Sequence, residues 1–194
     1  RPVNASDPAT GPPLPLQGVR VLALEQMIAA PWATQMLTRL GADVIKVEHP
    51  ERGESGRASV PFVTDPQGRR VGATFLRNNL NKRSVGIDLT LGADLVLALA
   101  EHCDVFVQNF KAGTLDRKGL GYADVSARNP RIVYVSVTGF GTTTASPYED
   151  RPAYASIAEA MSGVYEWGRQ PGRPPVVNPV GGLGVSMAAI VLCF

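Results

Sequence analysis

The chain has 194 residues, a length that suits one ordinary domain or one large part of a bigger one. Hydrophobic residues make up 44% of it and charged residues 19%, which is typical of a globular protein and argues against a disordered chain. The formal net charge is only +2, and no basic run interleaved with aromatic residues stands out, so the composition does not indicate a nucleic-acid partner.

The two cysteines indicate the compartment in which the protein is expected, and the first residues indicate whether the chain has been processed. Cys103 and Cys193 lie far apart and form no CxxC pair, which argues against a disulfide framework or a zinc site and makes a reducing cytoplasm the expected location. Residues 1–18 contain five prolines and little apolar periodicity, so we expect a flexible arm and not a signal peptide. Because the first residue is Arg1 and not Met, we expect a processed, engineered or partial product.

The first predicted elements are a strand, a helix and a second strand. Residues 19–24 form a short, mostly apolar strand. Pro31 suits the first turn of a helix over residues 32–40, and Gly41 ends it. Residues 43–48 form the second strand. This βαβ unit predicts parallel strands joined by a right-handed crossover.

The rest of the chain continues the alternation of strands and helices. Gly, Pro, Arg and Ser are frequent in residues 49–72, which predicts a long loop. Further strands are predicted over residues 84–89, 104–108 and 131–137, and helices over residues 93–101, 114–118, 122–127 and 153–165. A polar loop over residues 138–151 precedes the last of these helices. The pattern predicts an α/β fold with an open, doubly wound, Rossmann-like parallel sheet.

The tail of the chain carries no charged residue from Pro174 onward. Prolines and glycines interrupt its first half, and the apolar stretch 185–194 is about half of the roughly 20 residues that a bilayer requires. We therefore expect a core helix and no membrane span. The helix has no capping signal at its end, so we expect the native protein to continue beyond Phe194.

A dinucleotide site is the generic alternative for such a sheet, because Glu48 ends the second strand where a carboxylate can bind a ribose hydroxyl. That site requires a G-x-G-x-x-G turn after the first strand. The turn here, residues 25–31, contains no glycine, and the pattern that begins at Gly182 and Gly184 lacks its third glycine. A nicotinamide-dependent oxidoreductase is therefore disfavoured, and Glu48 can equally be a solvated strand end.

Four stretches share their order and spacing with one known family. They are GVRVLALEQMIAAP (18–31) with LGADVIKVEHP (40–50), NKRSVGIDL (81–89), DVFVQNF (104–110) with LDRKGLG (115–121), and NPRIVYVSVTGFG (129–141). Together they resemble the family III CoA-transferases of the CaiB/BaiF type, which also include the α-methylacyl-CoA racemases. The resemblance runs from about Leu16 to Gly184.

The resemblance carries expectations about fold and partners. Family members are about twice as long as this chain, so residues 19–194 would be the N-terminal part of the large domain. That domain is Rossmann-like, and a smaller domain accompanies it. Two family chains interlock as rings, so a homo- or hetero-oligomer is expected. The resemblance implies acyl-CoA and a carboxylic acid as substrates, with no metal, nucleic acid or membrane.

The resemblance also implies a set of CoA-binding residues. CoA carries phosphates, so its site needs cations and free backbone N–H groups. His49 takes a place where several relatives have Arg, which would make that phosphate contact weaker or pH-dependent. Ile87 matches a residue that lines the adenine. The other positions matching family contacts are Gln26, Met27, Ala29, Asn109, Phe110 and Arg117, although an ordinary strand end or a solvated helix face would explain the last three singly.

At the place of the catalytic nucleophile, this chain departs from the pattern that the resemblance implies. Family transferases use an Asp that follows a Gly-rich turn and holds the acyl group as a mixed anhydride. Here the turn is Gly182-Leu-Gly-Val185, so that Val185 occupies the place of the nucleophile. Ala155 stands where many relatives have Asp or Glu, and the Gly-His-Asp of the racemase branch is missing. We therefore expect a chain that binds CoA and is inactive alone.

Three explanations for Val185 stay open. The chain can be a natural non-catalytic subunit paired with a competent one, an altered or truncated product of an active gene, or a sequence that diverges after Gly184. Glu159 lies one helical turn beyond Ala155 and is the remaining weak candidate for a catalytic carboxylate, with a structural or exposed role as its alternative. The acyl donor and the acceptor acid cannot be read from these residues.

Overall fold

A five-stranded parallel sheet lies at the centre of the computed structural model, which describes residues 12–149, 151–176 and 182–193. Its strands are β1 (Arg20–Leu24), β2 (Asp43–Glu48), β5 (Arg83–Gly86), β6 (Val105–Gln108) and β7 (Val133–Ser136). They lie side by side in the order β5–β2–β1–β6–β7. A separate antiparallel hairpin contains β3 (Phe62–Thr64) and β4 (Arg70–Gly72). The predicted α/β fold with an open parallel sheet is confirmed.

The central strand β1 explains why the sheet is covered on both faces. It pairs with β2 and β6, so that Leu22 lies opposite Ile45 and Phe106. Leu22 and Leu24 belong to one buried cluster, while Val21 and Ala23 belong to another. Alternate residues of a strand face opposite sides, so a continuous apolar strand needs a layer of structure on each side.

Six α-helices lie among the described residues, and three of them supply those layers. They are α1 (Ala29–Arg39), α2 (Ala73–Asn78), α3 (Ala93–Ala100), α4 (Tyr122–Arg128), α5 (Ala155–Met161) and α6 (Leu183–Leu192). Ala30 and Leu37 of α1 pack in the cluster that holds Val21. Val96 of α3 and Val125 of α4 pack in the cluster that holds Leu22.

The prediction of a long loop over residues 49–72 was wrong in part. This segment contains a 3-10 turn (Ser55–Ala58) and the β3–β4 hairpin, and α2 follows it directly. Strands of three residues are too short to show an alternating pattern. Gly72 precedes α2, and a Cβ there would lie 2.2 Å from the carbonyl oxygen of Gly56, so that only glycine fits this close approach.

Two predicted helices are shorter in the structure. The helix predicted over residues 153–165 is α5, which ends at Met161, and a separate 3-10 turn (Val164–Glu166) follows it. Gly163 between them has a φ of 79°, a left-handed conformation that ends an α-helix. The helix predicted over residues 114–118 is a 3-10 turn (Asp116–Lys118).

The tail forms α6, but the helix is not a buried core helix within the described chain. It contacts α1 and α5. Met187 is 54% exposed and Val191 is 72% exposed, because no described element covers that side. No helix of the described segments is long and apolar enough to cross a bilayer. The described residues end at Cys193, so the expected continuation of the native protein beyond Phe194 lies outside them and stays a prediction.

The predicted flexible arm falls mostly outside the described residues, which begin at residue 12. Its last part is attached to the fold. The N–H of Leu16 donates to the carbonyl of Leu40 at 2.8 Å, and the Leu16 side chain packs against the cluster that holds Val21. Residues 16–18 therefore belong to the sheet domain.

Candidate functional site

The carboxyl ends of the parallel strands bring distant residues to one edge of the sheet. Glu25 and Gln26 follow β1, Ile87 follows β5, and Asn109 follows β6. After β1 the chain adds β2 and β5 on one side of it, and it then crosses to the other side to add β6 and β7. In open α/β sheets, ligands bind in the crevice at such a switch point, outside the carboxyl ends. This edge is therefore the candidate site.

Two cavities open at this edge. The first has a volume of about 400 Å³ and lies at the ends of β2 and β5, with a lining that includes His49, Arg52, Glu54, Ile87, Thr90 and Lys118. The second has a volume of about 950 Å³ and reaches α5 and α6, with a lining that includes Met27, Ala29, Asn109, Arg151, Glu159 and Val185. Gln26, Ser55 and Phe110 line both cavities. The two cavities are therefore neighbours that share a wall.

The structure gathers nearly every predicted site residue around these cavities. His49 and Ile87 line the first cavity, and Gln26 and Phe110 line both. The second cavity adds Met27, Ala29, Asn109, Glu159 and Val185. In the described part of the chain, Arg117 lines neither cavity. It is exposed, and its guanidinium donates to the hydroxyl of Thr114 at 3.5 Å.

Asn109 is bound to the main chain of Gln26. Its Oδ1 accepts a hydrogen bond from the Gln26 N–H at 2.8 Å, and its Nδ2 donates to the Gln26 carbonyl at 2.8 Å. The amide thus closes a two-bond bridge between the segments that follow β1 and β6. Sequence analysis treated Asn109 as a CoA contact and missed this bridge, because its partners are 83 positions apart.

Met27 adopts a left-handed conformation with a φ of 64°, which is uncommon for a residue other than glycine. Two side chains hold its peptide groups. The Met27 N–H donates to Oε2 of Glu54 at 2.8 Å, and the Met27 carbonyl accepts from Nδ2 of Asn78 at 3.2 Å. A glycine-free turn can therefore persist here because tertiary contacts stabilise it.

A buried cluster of charges lies behind this turn. Oε1 of Glu25 lies 2.6 Å from Nζ of Lys82 and 3.4 Å from Nζ of Lys46. Thr34 also donates to the Glu25 carboxylate, at 2.8 Å. Burial lowers the pKa of Lys82 to about 8, although the charge of Glu25 partly opposes this effect. The cluster joins β1, β2 and the segment before β5, and its partners lie too far apart in sequence to be predicted.

Glu54 extends this arrangement into the first cavity. Its side chain is buried, and Oε2 is used by Met27. Its other oxygen, Oε1, has no hydrogen-bond partner within the described residues. A buried oxygen without a hydrogen-bond partner is costly, and this one lies against Gly56, where an added Cβ would come within 2.4 Å of it.

Glu48 is neither a ribose ligand nor a solvated strand end. It is 5% exposed, and Arg57 binds both of its oxygens, at 2.6 and 2.8 Å. Ser84 donates to Oε1 at 2.7 Å. Burial would raise the pKa of Glu48, but the hydrogen bonds of Arg57 and Ser84 outweigh it and lower the pKa to about 2. Arg57 in turn stacks on the ring of Phe75, 3.8 Å from its centroid, which joins the 3-10 turn to α2.

Three basic side chains face the first cavity: His49, Arg52 and Lys118. Nδ1 of His49 accepts from the N–H groups of Glu51 and Arg52 at 3.2 and 3.3 Å, which leaves Nε2 as the ring donor. Lys118 donates to the hydroxyl of Thr90 at 3.3 Å. Sequence analysis singled out His49 but missed Arg52 and Lys118, although Lys118 stands next to the predicted Arg117.

The turn that carries Val185 is occupied by a carboxylate from another helix. Gly182 precedes α6 with a φ of 92°. The hydrogen bonds of Glu159, a residue of α5, include one from the Gly184 N–H at 3.1 Å and one from the Tyr165 hydroxyl at 2.7 Å. A carboxylate is favourable at the first turn of a helix because the free N–H groups there carry partial positive charge. Glu159 is 5% exposed and thus anchors α5 to α6.

No metal is indicated at this edge of the sheet. Across the described segments, no group of three or more His, Cys, Asp or Glu side chains is arranged to hold a metal ion.

Comparison with protein families identifies one family. The sequence model of CoA-transferase family III matches residues 16–194. The succinate–glutarate CoA-transferase of Agrobacterium fabrum is 42% identical over 166 residues, which are 84% of this chain and 41% of that protein. The β subunit of the succinyl-CoA–L-malate CoA-transferase of Chloroflexus aurantiacus is 42% identical over 84% of this chain and 39% of that subunit.

Solved structures show the same relationship. A CAIB/BAIF family protein from Brucella suis has a TM-score of 0.78 and 36% identity, covering 93% of this chain and 50% of that one. Rv3272 from M. tuberculosis has a TM-score of 0.82 and 35% identity, covering 94% of this chain and 50% of that one. The chain therefore spans about half the length of these structures and about two fifths of the curated relatives.

Proposed function

Because the chain belongs to CoA-transferase family III, we propose that it binds CoA and acyl-CoA thioesters in the two joined cavities. The parent activity would be the transfer of CoA between an acyl-CoA and a carboxylic acid. The observation that carries the proposal is the wall of Gln26, Ser55 and Phe110 shared by both cavities. CoA is long and has a charged nucleotide at one end and a thioester at the other, so its site needs two connected regions of different character.

The nucleotide end fits the first cavity. Phosphates require cations, and His49, Arg52 and Lys118 supply them there. Ile87 offers an apolar surface for a flat base. Arg117, which the resemblance assigns to CoA, lies outside this cavity and is not needed for the arrangement.

The acyl group fits the second cavity. The two curated relatives described above are named for succinate, glutarate, succinyl-CoA and L-malate, so we propose a small dicarboxylic acid as the acyl group or acceptor. The basic side chains that line this cavity are Lys111 and Arg151, within the described residues. Either can neutralise the distal carboxylate of such a substrate.

Acyl transfer would require a nucleophile at the thioester. In the family reaction a carboxylate oxygen bonds to the acyl carbon, the C–S bond breaks, and CoA leaves as the thiolate. The hydrocarbon side chain of Val185 cannot form that bond. Glu159 lies at the same turn, but its carboxylate is engaged by Gly184 and Tyr165, which favours its structural role. We therefore propose that the isolated chain binds acyl-CoA without transferring it.

A second candidate function is a non-catalytic subunit of a paired CoA-transferase. Two relatives are named as the β and α subunits of succinyl-CoA–L-malate CoA-transferases. The exposed apolar side chains Met161, Met187 and Val191 on α5 and α6 are suited to contact with a second polypeptide. Size-exclusion chromatography with light scattering tests this candidate. A well-folded monomer at all concentrations, with no partner retained on purification, would remove it.

Isothermal titration of the folded chain with CoA tests the binding proposal. We expect saturable heat with a micromolar dissociation constant, and a folded sample without CoA heat would overturn it. Formation of glutaryl-CoA from succinyl-CoA and glutarate, followed by liquid chromatography with mass spectrometry, tests the missing activity. Glutaryl-CoA formation above the rate without protein would contradict the assignment of an inactive chain, and Glu159→Gln would then show whether Glu159 supplies the nucleophile.

A further inference from the structure

We propose that Asn109 is a positioning residue, which acts on the ligand by holding the turn of residues 25–28 between the two cavities. This inference rests on the proposed binding of a CoA thioester across both cavities. It assigns Asn109 a role through Gln26, in place of the direct CoA contact that the sequence resemblance implies.

The side chain of Asn109 is already committed to this turn. Its oxygen and its nitrogen both bond to the main chain of Gln26, each at 2.8 Å. Because both bonds come from one planar amide, they fix the orientation of the Gln26 peptide groups as well as their distance from β6. Ala would remove both bonds, and Asp would keep only the acceptor.

The turn needs to be held because its backbone is not in a relaxed conformation. Met27 has a φ of 64°, a region that side chains with a Cβ rarely adopt. On the other side, Glu54 and Asn78 bind the N–H and carbonyl of Met27 at 2.8 and 3.2 Å. Asn109 and Asn78 therefore hold neighbouring peptide groups of one strained turn from opposite elements.

The position of the turn matters more for the second cavity than for the first. Gln26 lines both, but Met27, Ile28 and Ala29 line only the second. The first cavity is also walled by β2 and the segment after it, which the pair of Glu48 and Arg57 holds and which reaches the turn through Glu54 at Met27 and not through Asn109. Loss of the Asn109 bridge should therefore disturb binding of the thioester end while the nucleotide end remains bound.

The chain contains a matched control for this test. Asn129 makes the same kind of contact, since its Nδ2 donates to the carbonyls of Ala100 and Cys103 at 3.0 and 2.8 Å. These partners precede β6, at the opposite edge of the sheet. The Oδ1 of Asn129 also accepts from the Arg131 N–H at 3.2 Å, so Asn129→Ala removes three side-chain-to-backbone bonds without touching either cavity and reports the effect of a stability loss alone.

The experiment compares two ligands on three proteins. Succinyl-CoA probes both cavities, and adenosine 3′,5′-bisphosphate probes the nucleotide end. Titrations use the wild-type chain, Asn109→Ala and Asn129→Ala, each checked for folding by circular dichroism. We expect Asn109→Ala to weaken succinyl-CoA binding about tenfold and bisphosphate binding less than about twofold, and Asn129→Ala to leave both unchanged. If Asn109→Ala does not fold, Asn109→Asp replaces it in the titrations. We then expect a smaller loss of affinity, which affects succinyl-CoA and not the bisphosphate.

A double-mutant cycle separates positioning from direct contact. Asn78 lines neither cavity, and its side chain reaches the turn at the Met27 carbonyl while its Oδ1 accepts from Arg77 of the same helix, so the turn connects Asn78→Ala to the ligand. If Asn109 acts through the same turn, the double variant loses less than the product of the two single losses. Independent losses, equal weakening of both ligands or unchanged succinyl-CoA affinity would overturn the proposal. A wild-type chain that binds neither ligand would instead overturn the proposed function on which it rests.

Discussion

Nζ of Lys82 lies 2.6 Å from Oε1 of Glu25, and both side chains are almost completely buried at the carboxyl edge of the sheet. Lys82 also donates to the carbonyl of Pro31 at 2.7 Å and to Oδ1 of Asn79 at 3.0 Å. One ammonium group thereby joins the turn after β1, the start of α1 and the segment that leads into β5. The paired charges at the base of the candidate site therefore have a structural role.

Lys82→Met should destabilise the fold strongly, because it leaves the Glu25 carboxylate buried with only Lys46 and Thr34. Removing one partner of a buried ion pair costs about 3–5 kcal/mol of unfolding free energy. Arg83→Met is the matched control, since Arg83 pairs with Asp43 at an exposed position and should cost less than about 1 kcal/mol. Urea unfolding monitored by circular dichroism measures both, and equal losses would contradict the structural role of Lys82.

The low pKa of Glu48 predicts that part of the free energy of unfolding is lost in acid. Its pKa in the folded chain is about 2, below the ordinary value of 4.5, so the folded state holds the Glu48 proton more weakly than the unfolded state. The stabilisation is complete above pH 4.5 and is lost as the pH falls toward 2. It amounts to about 3 kcal/mol.

Urea unfolding between pH 7 and pH 2.5 checks this prediction. Glu48→Gln should be less stable at neutral pH and should show a flatter acid limb than the wild type. Glu51→Gln is the control, because Glu51 is exposed and close in sequence, and should retain the wild-type profile. The same acid limb in wild type and Glu48→Gln would show that another carboxylate governs acid unfolding.

The neighbouring residues Arg117 and Lys118 allow a test between two CoA contacts. The resemblance implies a contact by Arg117, whereas the structure favours Lys118. Lys118 lines the first cavity, whereas Arg117 lines neither cavity. Lys118→Gln should therefore weaken CoA binding about threefold to tenfold at low salt, and Arg117→Gln should change it less than about twofold. Titrations at two salt concentrations measure this. A larger effect of Arg117→Gln would restore the contact that the resemblance implies.

Cys103 should be unreactive in the folded chain. It is 4% exposed, and burial raises its pKa to about 11, so that almost no thiolate is present at pH 8. In a Cys193→Ser variant, iodoacetamide should label Cys103 slowly under native conditions and rapidly in urea, as followed by mass spectrometry. Equally fast labelling in both conditions would mean that Cys103 is accessible in the native fold.

The strands of the central sheet could be predicted because burial leaves a clear pattern. Residues 21–24 of β1 and 105–107 of β6 are apolar in continuous runs, as strands covered on both faces must be, whereas Lys46 and Glu48 interrupt the apolar residues of β2. The β3–β4 hairpin could not be predicted, because three-residue strands carry no period and local turn contacts stabilise them. Asp65, for instance, accepts the N–H groups of Gln67 and Arg69.

The sequence alone determined the parallel sheet, the glycine-free turn after β1 and the absence of any acidic residue in the tail that contains Val185. Only the tertiary structure decided that Asn109 binds Gln26, that Glu25 pairs with Lys82 and that Glu159 reaches the Gly184 N–H. The reason is physical. Burial and backbone periodicity act within a few neighbouring residues and leave a signal in the sequence, whereas these polar pairs join distant segments. The order of the strands and the packing of the helices bring them together.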